Sequence, residues 1–338
     1  MTHSVVVRCE NEMLYITLPE EKTRKVSFYL AMEEYVARNV TDGDCLFYWQ
    51  VEPSVVFGRN QLIRNEVNTS YCCDHGIGIF RRKSGGGCVY ADKDNIMFSF
   101  VTGGDNVGLT FNRYINMMVL TLRSLGVEAT ADGRNDILID GRKVSGTAFY
   151  RMRGRNIVHG TMLFDTDMDN MVNSITPAGE KLRSKGVDSV RQRVALLKDY
   201  LDMSIDDFKH CVRRNLCDRE YALTQDDVDR ISGIELEYLS DEFIYGSDPQ
   251  FTLTRRRRID GVGDVEARID VRHGLIRCVS LAGDFFAAGD VESAICSRLT
   301  GVPLTAEAVA AALDSRDCGV IMNLSKAGLV SLLTDEGE

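Results

Sequence analysis

Two stretches carry residue types that could do chemistry together. The first is Arg81-Arg82-Lys83-Ser84-Gly85-Gly86-Gly87-Cys88-Val89-Tyr90. Glycine lets backbone N–H groups turn towards a ligand and approach it closely, and the cations ahead add full charge to those partial ones. Such a pairing suits a carboxylate or a phosphate. The second stretch runs from Asn135-Asp136 through Lys143 to Ser145-Gly146-Thr147-Ala148. Here one more cation precedes small residues that leave room for an extended ligand, and Asp136 offers a carboxylate to Mg2+. Singly, each has a bland reading: a plain glycine turn, and a surface lysine just past a tight turn. Jointly they fit activation of a carboxylic acid with ATP. That chemistry needs preorganised cations and N–H groups around the carboxylate and the α-phosphate, and no protein nucleophile. The phosphate loop GxxxxGK[ST], the GxSxG elbow and HExxH are all missing from the chain.

These residues must be held by strands and helices that the pattern predicts. A run Gly76-Ile77-Gly78-Ile79-Phe80 enters the glycines and a strand from Cys88 to Val101 leaves them, so a hairpin is expected over 77–101. Upstream, a strand is expected over Met13 to Leu18 and a helix over Phe28 to Val40, capped by Ser27. Glu33 and Glu34 lie in that helix among Leu30, Tyr35 and Val36. Strands over Cys45 to Gln50 and Ser54 to Gly58 flank Pro53, and a short helix follows Gly58-Arg59-Asn60-Gln61. Downstream come an amphipathic helix over Leu109 to Leu125, a tight turn at Asp140-Gly141 that places Lys143 on a second strand, and a strand over Ile157 to Phe164. Helices are expected over Met168 to Ser174, Val190 to Tyr200, Ile205 to Asn215 and Asp226 to Tyr238. A break near Tyr245-Gly246-Ser247-Asp248-Pro249 divides the chain into units 1–246 and 247–338. The second unit reads as strands followed by helices, the last of these over Val291 to Leu299, Ala306 to Ala312 and Ser325 to Leu333. The class is α+β, and the mixed order of strands and helices argues against a doubly wound nucleotide fold.

Composition narrows the partners. At 338 residues, 44 % hydrophobic and 27 % charged, the chain is ordinary globular protein with room for a sizeable core. A net charge of −10 disfavours nucleic acid and anionic membranes. The run Arg255-Arg256-Arg257-Arg258 splits between two strand faces in an acidic unit, and a contact with acidic protein domains is its livelier reading. The ten cysteines form no CxxC and the five histidines do not cluster, which speaks against zinc and for reduced thiols. With no signal-peptide pattern and no apolar run of spanning length, the expected location is the cytoplasm and the expected state a monomer.

The motifs together resemble the bacterial lipoate-protein ligase A family, in order and at compatible spacing. They are Gly58-Arg59-Asn60-Gln61, the stretch Arg81 to Tyr90, Asn95, Gly133-Arg134-Asn135-Asp136, Gly141 to Ala148, His159-Gly160-Thr161 and Ser184 to Val194. The resemblance covers almost the whole chain. It implies a biotin/lipoate ligase-like catalytic domain with a mixed sheet and flanking helices, followed by a small α+β accessory domain. It further implies that lipoate and ATP give lipoyl-AMP, and that the lipoyl group passes to a lysine of apo lipoyl domains, in 2-oxoacid dehydrogenase E2 subunits or the glycine-cleavage H protein. Arg82, Ser84, Gly85, Gly86, Gly87, Cys88, Val89, Tyr90, Asn135, Asp136, Ser145, Gly146, Thr147, Ala148, His159, Gly160 and Thr161 would bind ATP and the adenylate. Lys143 would be the electrostatic catalyst, Trp49 and Val89 would line the acyl channel with Arg82 and Lys143, and Lys185, Arg191 and Arg193 would close over the adenylate. Asp136 would touch Mg2+. Two departures stand out: Ala91 where the family usually has His, and Asp94 where it usually has Gly. The rival readings are a Cys88 thioester acyltransferase that needs no ATP, a biotin-protein ligase, and a non-catalytic lipoate- or carrier-binding relative.

Overall fold

The structure, a computed structural model, describes residues 12–104, 107–133, 135–175, 192–245 and 251–335. Its strands in chain order are β1 (Met13–Thr17), β2 (Asp44–Trp49), β3 (Ser54–Phe57), β4 (Gly78–Arg81), β5 (Val89–Ala91), β6 (Asn95–Thr102), β7 (Ala129–Ala131), β8 (Asp136–Ile139), β9 (Arg142–Met152), β10 (Arg155–Leu163), β11 (Arg219–Ala222), β12 (Leu253–Ile259), β13 (Gly263–Arg272) and β14 (Leu275–Gly283). The large sheet has the order β11-β1-β2-β6-β10-β9-β8-β7. In it β1 is parallel to β2 and β11, while the pairings from β2 through β7 are antiparallel. The sheet is mixed and the class is α+β, as expected.

Both faces of this sheet are covered. Along β6, Ile96, Phe98 and Phe100 point to one core while Met97 and Val101 point to the other, the period of two that a strand imposes. The helices Val107–Ser124 and Ile205–Leu216 cover the first face, Val26–Asn39 and Gln225–Tyr238 the second. Phe98 and Phe100 are both fully buried, each contributing roughly 2–3 kcal/mol by removal from water. Tight turns pin the register of the Lys143 strand: Asp140 and Gly141 both take positive φ, at 51° and 72°.

A hairpin across the glycines is not what forms. β4 and β5 do not pair with each other; both pair with β3, in a small sheet of order β4-β3-β5. The expected strand Cys88 to Val101 is split, with β5 in this small sheet and β6 in the large one. Val55 and Phe57 of β3 are fully buried in a core with Cys72, Ile77 and Tyr90, and burying them requires β3 to take the central place. The glycines therefore span a gap between two strands rather than turning one back on itself.

Other boundaries shift for local reasons. Ser27 is not the cap of its helix, which starts at Val26; its hydroxyl donates to Glu235 at 2.6 Å. Glu33 and Glu34 are fully buried. Of the helix expected over Val190 to Tyr200, Gln192 and Arg193 are helical, but a β-bridge from Val194 to Lys143 ends it and a short 3-10 turn Leu197–Asp199 follows. Residues 251–335 form an antiparallel sheet β12-β13-β14 with its own core, including Val265, Ile269, Val279 and Leu329, and helices Ala306–Ala312 and Lys326–Thr334. In place of the expected helix Val291 to Leu299 stand a π-helical turn and a 3-10 turn. The proposed boundary at 246/247 lies outside the described residues.

Candidate active site

A pocket opens where the two sheets meet. Leu30, Trp49, Val56, Val89, Met97 and Phe286 give it an apolar wall. Arg82, Asn135, Lys143, Thr147, His159 and Thr161 give it a polar one, with Gly86, Gly87, Cys88, Gly146, Ala148 and Gly160 supplying backbone and small surfaces. The structure thus brings together most of the residues named from sequence. Among them, Ser84, Gly85, Tyr90, Asp136 and Ser145 stand outside the pocket lining.

Arg82 is buried and serves the loop itself. Its Nε donates to Ser84 Oγ (2.9 Å), Nη1 to the Val56 carbonyl (2.8 Å), and Nη2 to the carbonyls of Gly85 (2.7 Å) and Gly87 (2.6 Å). Burial pulls Arg82 down to about 10, still charged at neutral pH. Because those carbonyls face inward to the guanidinium, the loop is drawn around a fixed cation. Arg81 behaves alike, donating to carbonyls of Arg59, Gln61 and Ile244. Lys83 turns away from the pocket to Glu34 (2.7 Å) and Glu237 (2.8 Å).

The glycines answer to a neighbour that the sequence does not announce. The Gly86 N–H donates to the Phe285 carbonyl at 3.2 Å, and a Cβ at Gly85 would collide with that same oxygen. The Phe286 ring lies against Phe149 (5.9 Å, stacked) and Phe111 (6.2 Å), joining the core of the large sheet. A segment of the C-terminal unit thereby becomes part of the pocket wall. Gly87 is exposed and next to the pocket.

Lys143 stands apart in character. Its side chain is 38 % exposed and its Nζ pairs with Asp136 Oδ1 at 2.8 Å. It lies over Gly146, where an added Cβ would come within 2.9 Å of Nζ, so glycine makes the space for the ammonium. Nearby, the Gly146 N–H donates to Thr161 Oγ1 (3.2 Å), and the Asn135 amide donates to the Thr147 carbonyl (3.3 Å). A shift of register between Ile137 and Leu138 marks a bulge here, the kind of irregularity that re-aims a side chain.

His159 occupies the opposite side, its Nε2 at 2.7 Å from Ser84 Oγ and its Nδ1 at 3.0 Å from Glu33. Cys88 is half-buried, and burial, with the Glu66 carboxylate adding to it, pushes its thiol far up. A nucleophilic cysteine needs the reverse. Tyr90 turns into the core of the small sheet, so only its backbone faces the loop region. Ala91 is fully buried. Arg193 is exposed, next to the bridge between Val194 and Lys143; Lys185, Arg191 and Arg134 lie outside the described residues. The arginine run is tied locally, Arg256 and Arg258 to Asp264, Arg255 to the Leu333 carbonyl and Arg257 to Ser331.

Sequence reasoning missed Glu33, Leu30, Val56, Met97 and Phe286. Spacing held a signal for the first: Leu30, Glu33 and Ala37 recur on one helical stripe, which puts a carboxylate on a buried face. Phe286 carried no such signal.

Comparison with known proteins identifies the family. Residues 25–217 match the lipoyl protein ligase A/B catalytic domain, and residues 248–333 the bacterial lipoate protein ligase C-terminus. The lipoate-protein ligase LplJ of Bacillus subtilis is 36 % identical over 297 residues, 84 % of this chain and 89 % of that protein. Lipoate-protein ligase 1 of Staphylococcus aureus is 36 % identical over 271 residues, 78 % of this chain and 82 % of its own length. Among solved structures, a lipoate-protein ligase A bound with ATP superposes at a TM-score of 0.59 with 26 % identity, covering 70 % of this chain and 99 % of that one. LipL1 of P. falciparum in complex with lipoate shares the fold at a TM-score of 0.75, with 20 % identity over 92 % of this chain and 96 % of that one. Among the described residues no helix is long and apolar enough to cross a membrane. With its catalytic and C-terminal regions both matched and relatives at 36 % identity over most of its length, this chain belongs to the lipoate-protein ligase family.

Proposed function

We propose that this chain is an ATP-dependent lipoate-protein ligase whose acyl and adenylate subsites are the two walls of this one pocket. The observation that carries the reading is the juxtaposition of a half-exposed Lys143 with an apolar wall of Leu30, Trp49, Val56, Val89 and Met97. A medium-length acyl chain fits the apolar wall, and its carboxylate would then meet the cation.

In the first step a carboxylate oxygen of lipoate attacks the α-phosphorus of ATP and pyrophosphate leaves. Lys143 would neutralise charge shared by the carboxylate and the α-phosphate. The backbone around Gly87 and Cys88 would donate to the phosphate, with Arg82 setting the loop from beneath. In the second step the amine of an acceptor lysine attacks the acyl carbonyl and AMP leaves, with Lys143 again at the developing oxyanion. Asn135, Thr147, His159 and Thr161 would orient the adenylate. Lys185, Arg191 and Arg193 would close over it, attracted by phosphate charge.

For Mg2+ the residues fit a shared site rather than a cage. Among the described residues no group of three or more His, Cys, Asp or Glu side chains could hold a metal ion. Asp136, beside Lys143, would offer a carboxylate, and one carboxylate plus substrate phosphates is the usual protein share for Mg2+. The ion would neutralise phosphate charge.

The remaining assignments follow from this reading. Residues 1–246 form the catalytic domain and 247–338 the accessory domain. Acceptors are apo lipoyl domains of E2 subunits or the H protein, the location is the cytoplasm, and the working unit is a monomer that binds no nucleic acid. Intact mass of an apo lipoyl domain, incubated with enzyme and lipoate with and without MgATP, tests the core claim. A lipoyl mass gain only with MgATP is expected. Gain without ATP would instead indicate direct acyl transfer, and no gain beside an active control ligase would reject the assignment.

A further inference from the structure

Glu33 is a buried charge that the steps above leave unused. Its carboxylate accepts from His159 Nδ1 at 3.0 Å and from Ser99 Oγ at 2.5 Å, and Ser99 Oγ accepts from Trp49 Nε1 at 2.9 Å. On the far side His159 Nε2 meets Ser84 Oγ at 2.7 Å, and Ser84 Oγ accepts from Arg82 Nε at 2.9 Å. One line of hydrogen bonds thus joins the indole of the acyl wall to the guanidinium beneath the glycine loop.

The ends of the line fix its polarity. Indole and guanidinium nitrogens can only donate, and an ionised carboxylate can only accept. Ser99 accepts from Trp49, so its own proton goes to Glu33. Ser84 accepts from Arg82, so its own proton goes to His159 Nε2. That nitrogen must then carry the lone pair, which leaves the imidazole proton on Nδ1, facing Glu33. A proton on Nε2 would strand the Ser84 hydroxyl proton at a fully buried position.

We infer that Glu33 is a positioning residue for ligation: by holding His159 in the Nδ1–H tautomer it orders Ser84 and Arg82, and so sets the glycine loop relative to the acyl wall at Trp49. Glu33 does not line the pocket and acts through His159, which does. This deepens the ligase reading and rests on it.

The test combines a tautomer readout with kinetics. Nitrogen-15 NMR of the histidine side chains, with the His159 signal assigned by its loss in His159→Gln, reports which ring nitrogen is protonated. Wild type is expected to show Nδ1–H at neutral pH. Glu33→Gln places an amide donor where only acceptors stood, so the tautomer should change. The kcat/KM for lipoate-dependent ATP–pyrophosphate exchange should then fall by about tenfold or more, while Tm stays within about 3 °C. A wild-type signal from Nε2–H, or a Glu33→Gln enzyme within about twofold of wild type, would overturn the inference. If Glu33→Gln does not fold, the wild-type spectrum alone still decides the tautomer on which everything rests. A wild type that shows Nδ1–H but no exchange activity would reject the ligase reading instead, and the two failures are thereby told apart.

Discussion

The two cations first picked out from sequence, Arg82 and Lys143, end in opposite physical situations. Arg82 is 4 % exposed, and its donors are spent on three carbonyls and a hydroxyl of its own surroundings. Lys143 is 38 % exposed at its side chain and, among the described residues, is ion-paired with Asp136. A guanidinium presents a rigid fork of five donors that can organise backbone, whereas an ammonium is a compact charge on a flexible stem. The first organises the loop, and the second stays accessible to a ligand. A partly exposed pair such as Lys143–Asp136 is worth about 1 kcal/mol or less, so a ligand carboxylate or phosphate can displace it cheaply.

The contrast can be broken most forcefully at Lys143. Lys143→Ala should lower lipoyl transfer by about a thousandfold, with Tm unchanged within about 2 °C. Wild-type turnover in a transfer assay would remove Lys143 from its assigned role. Arg82→Lys tests the other side. It keeps the charge and loses the fork, so it should destabilise the chain by about 2–4 kcal/mol. Thermal unfolding and lipoate binding should suffer together, and an intact, fully active Arg82→Lys protein would show that charge alone suffices there.

A smaller effect is expected from the C-terminal contribution to the wall. Phe286→Ala removes a buried ring, at 6 % exposure, that stacks on Phe149. It should cost about 3 kcal/mol and raise the KM for substrates more than it lowers kcat. Unchanged stability and KM would separate the C-terminal unit from the pocket.

The smallest effect concerns a buried charge with the wrong neighbours. Glu66 lies in a narrow cleft with Arg256, Asp264 and Glu266, between the two units. Burial first, and then the carboxylate of Asp284, push it from 4.5 up to about 7. Between those two values the folded chain holds a proton that the unfolded chain has lost, so stability falls as pH rises through that window. Glu66→Gln should flatten this slope and stabilise the protein above pH 7 by ~2 kcal/mol at most, since the cleft is partly open to solvent. Tm measured on both sides of the window would show it; an identical pH slope in the variant would reject it. Whereas Arg82 is buried among acceptors made for it, Glu66 lies half-buried beside Asp264, Glu266 and Asp284 with Arg256 as its counter-charge.

Much of the fold and of the site was readable from local pattern. The Asp140-Gly141 turn, the helix at Met168–Ser174 and the three strands of the C-terminal sheet follow from turn chemistry and periodicity, which act over a few residues. The pocket residues from Lys143 to Thr161 were legible only through the family resemblance; the tight turn placed Lys143 on a strand without distinguishing it from a surface lysine, and the pairing of His159 opposite Ala148 came with the sheet. The expected hairpin over 77–101 failed because its competitor, β3, lies outside the segment and wins the central place by burying Val55 and Phe57.

By itself, then, the sequence determined the mixed α+β class, the family and the cast of polar residues around one pocket. What only the tertiary structure decided is how those residues spend their hydrogen bonds. The Phe285 carbonyl meets the Gly86 N–H across the two units, and Glu33 meets His159 across 126 positions of chain. Such contacts leave no local period or turn signal, because they are fixed by the packing of whole sheets and by the need of each buried donor for an acceptor.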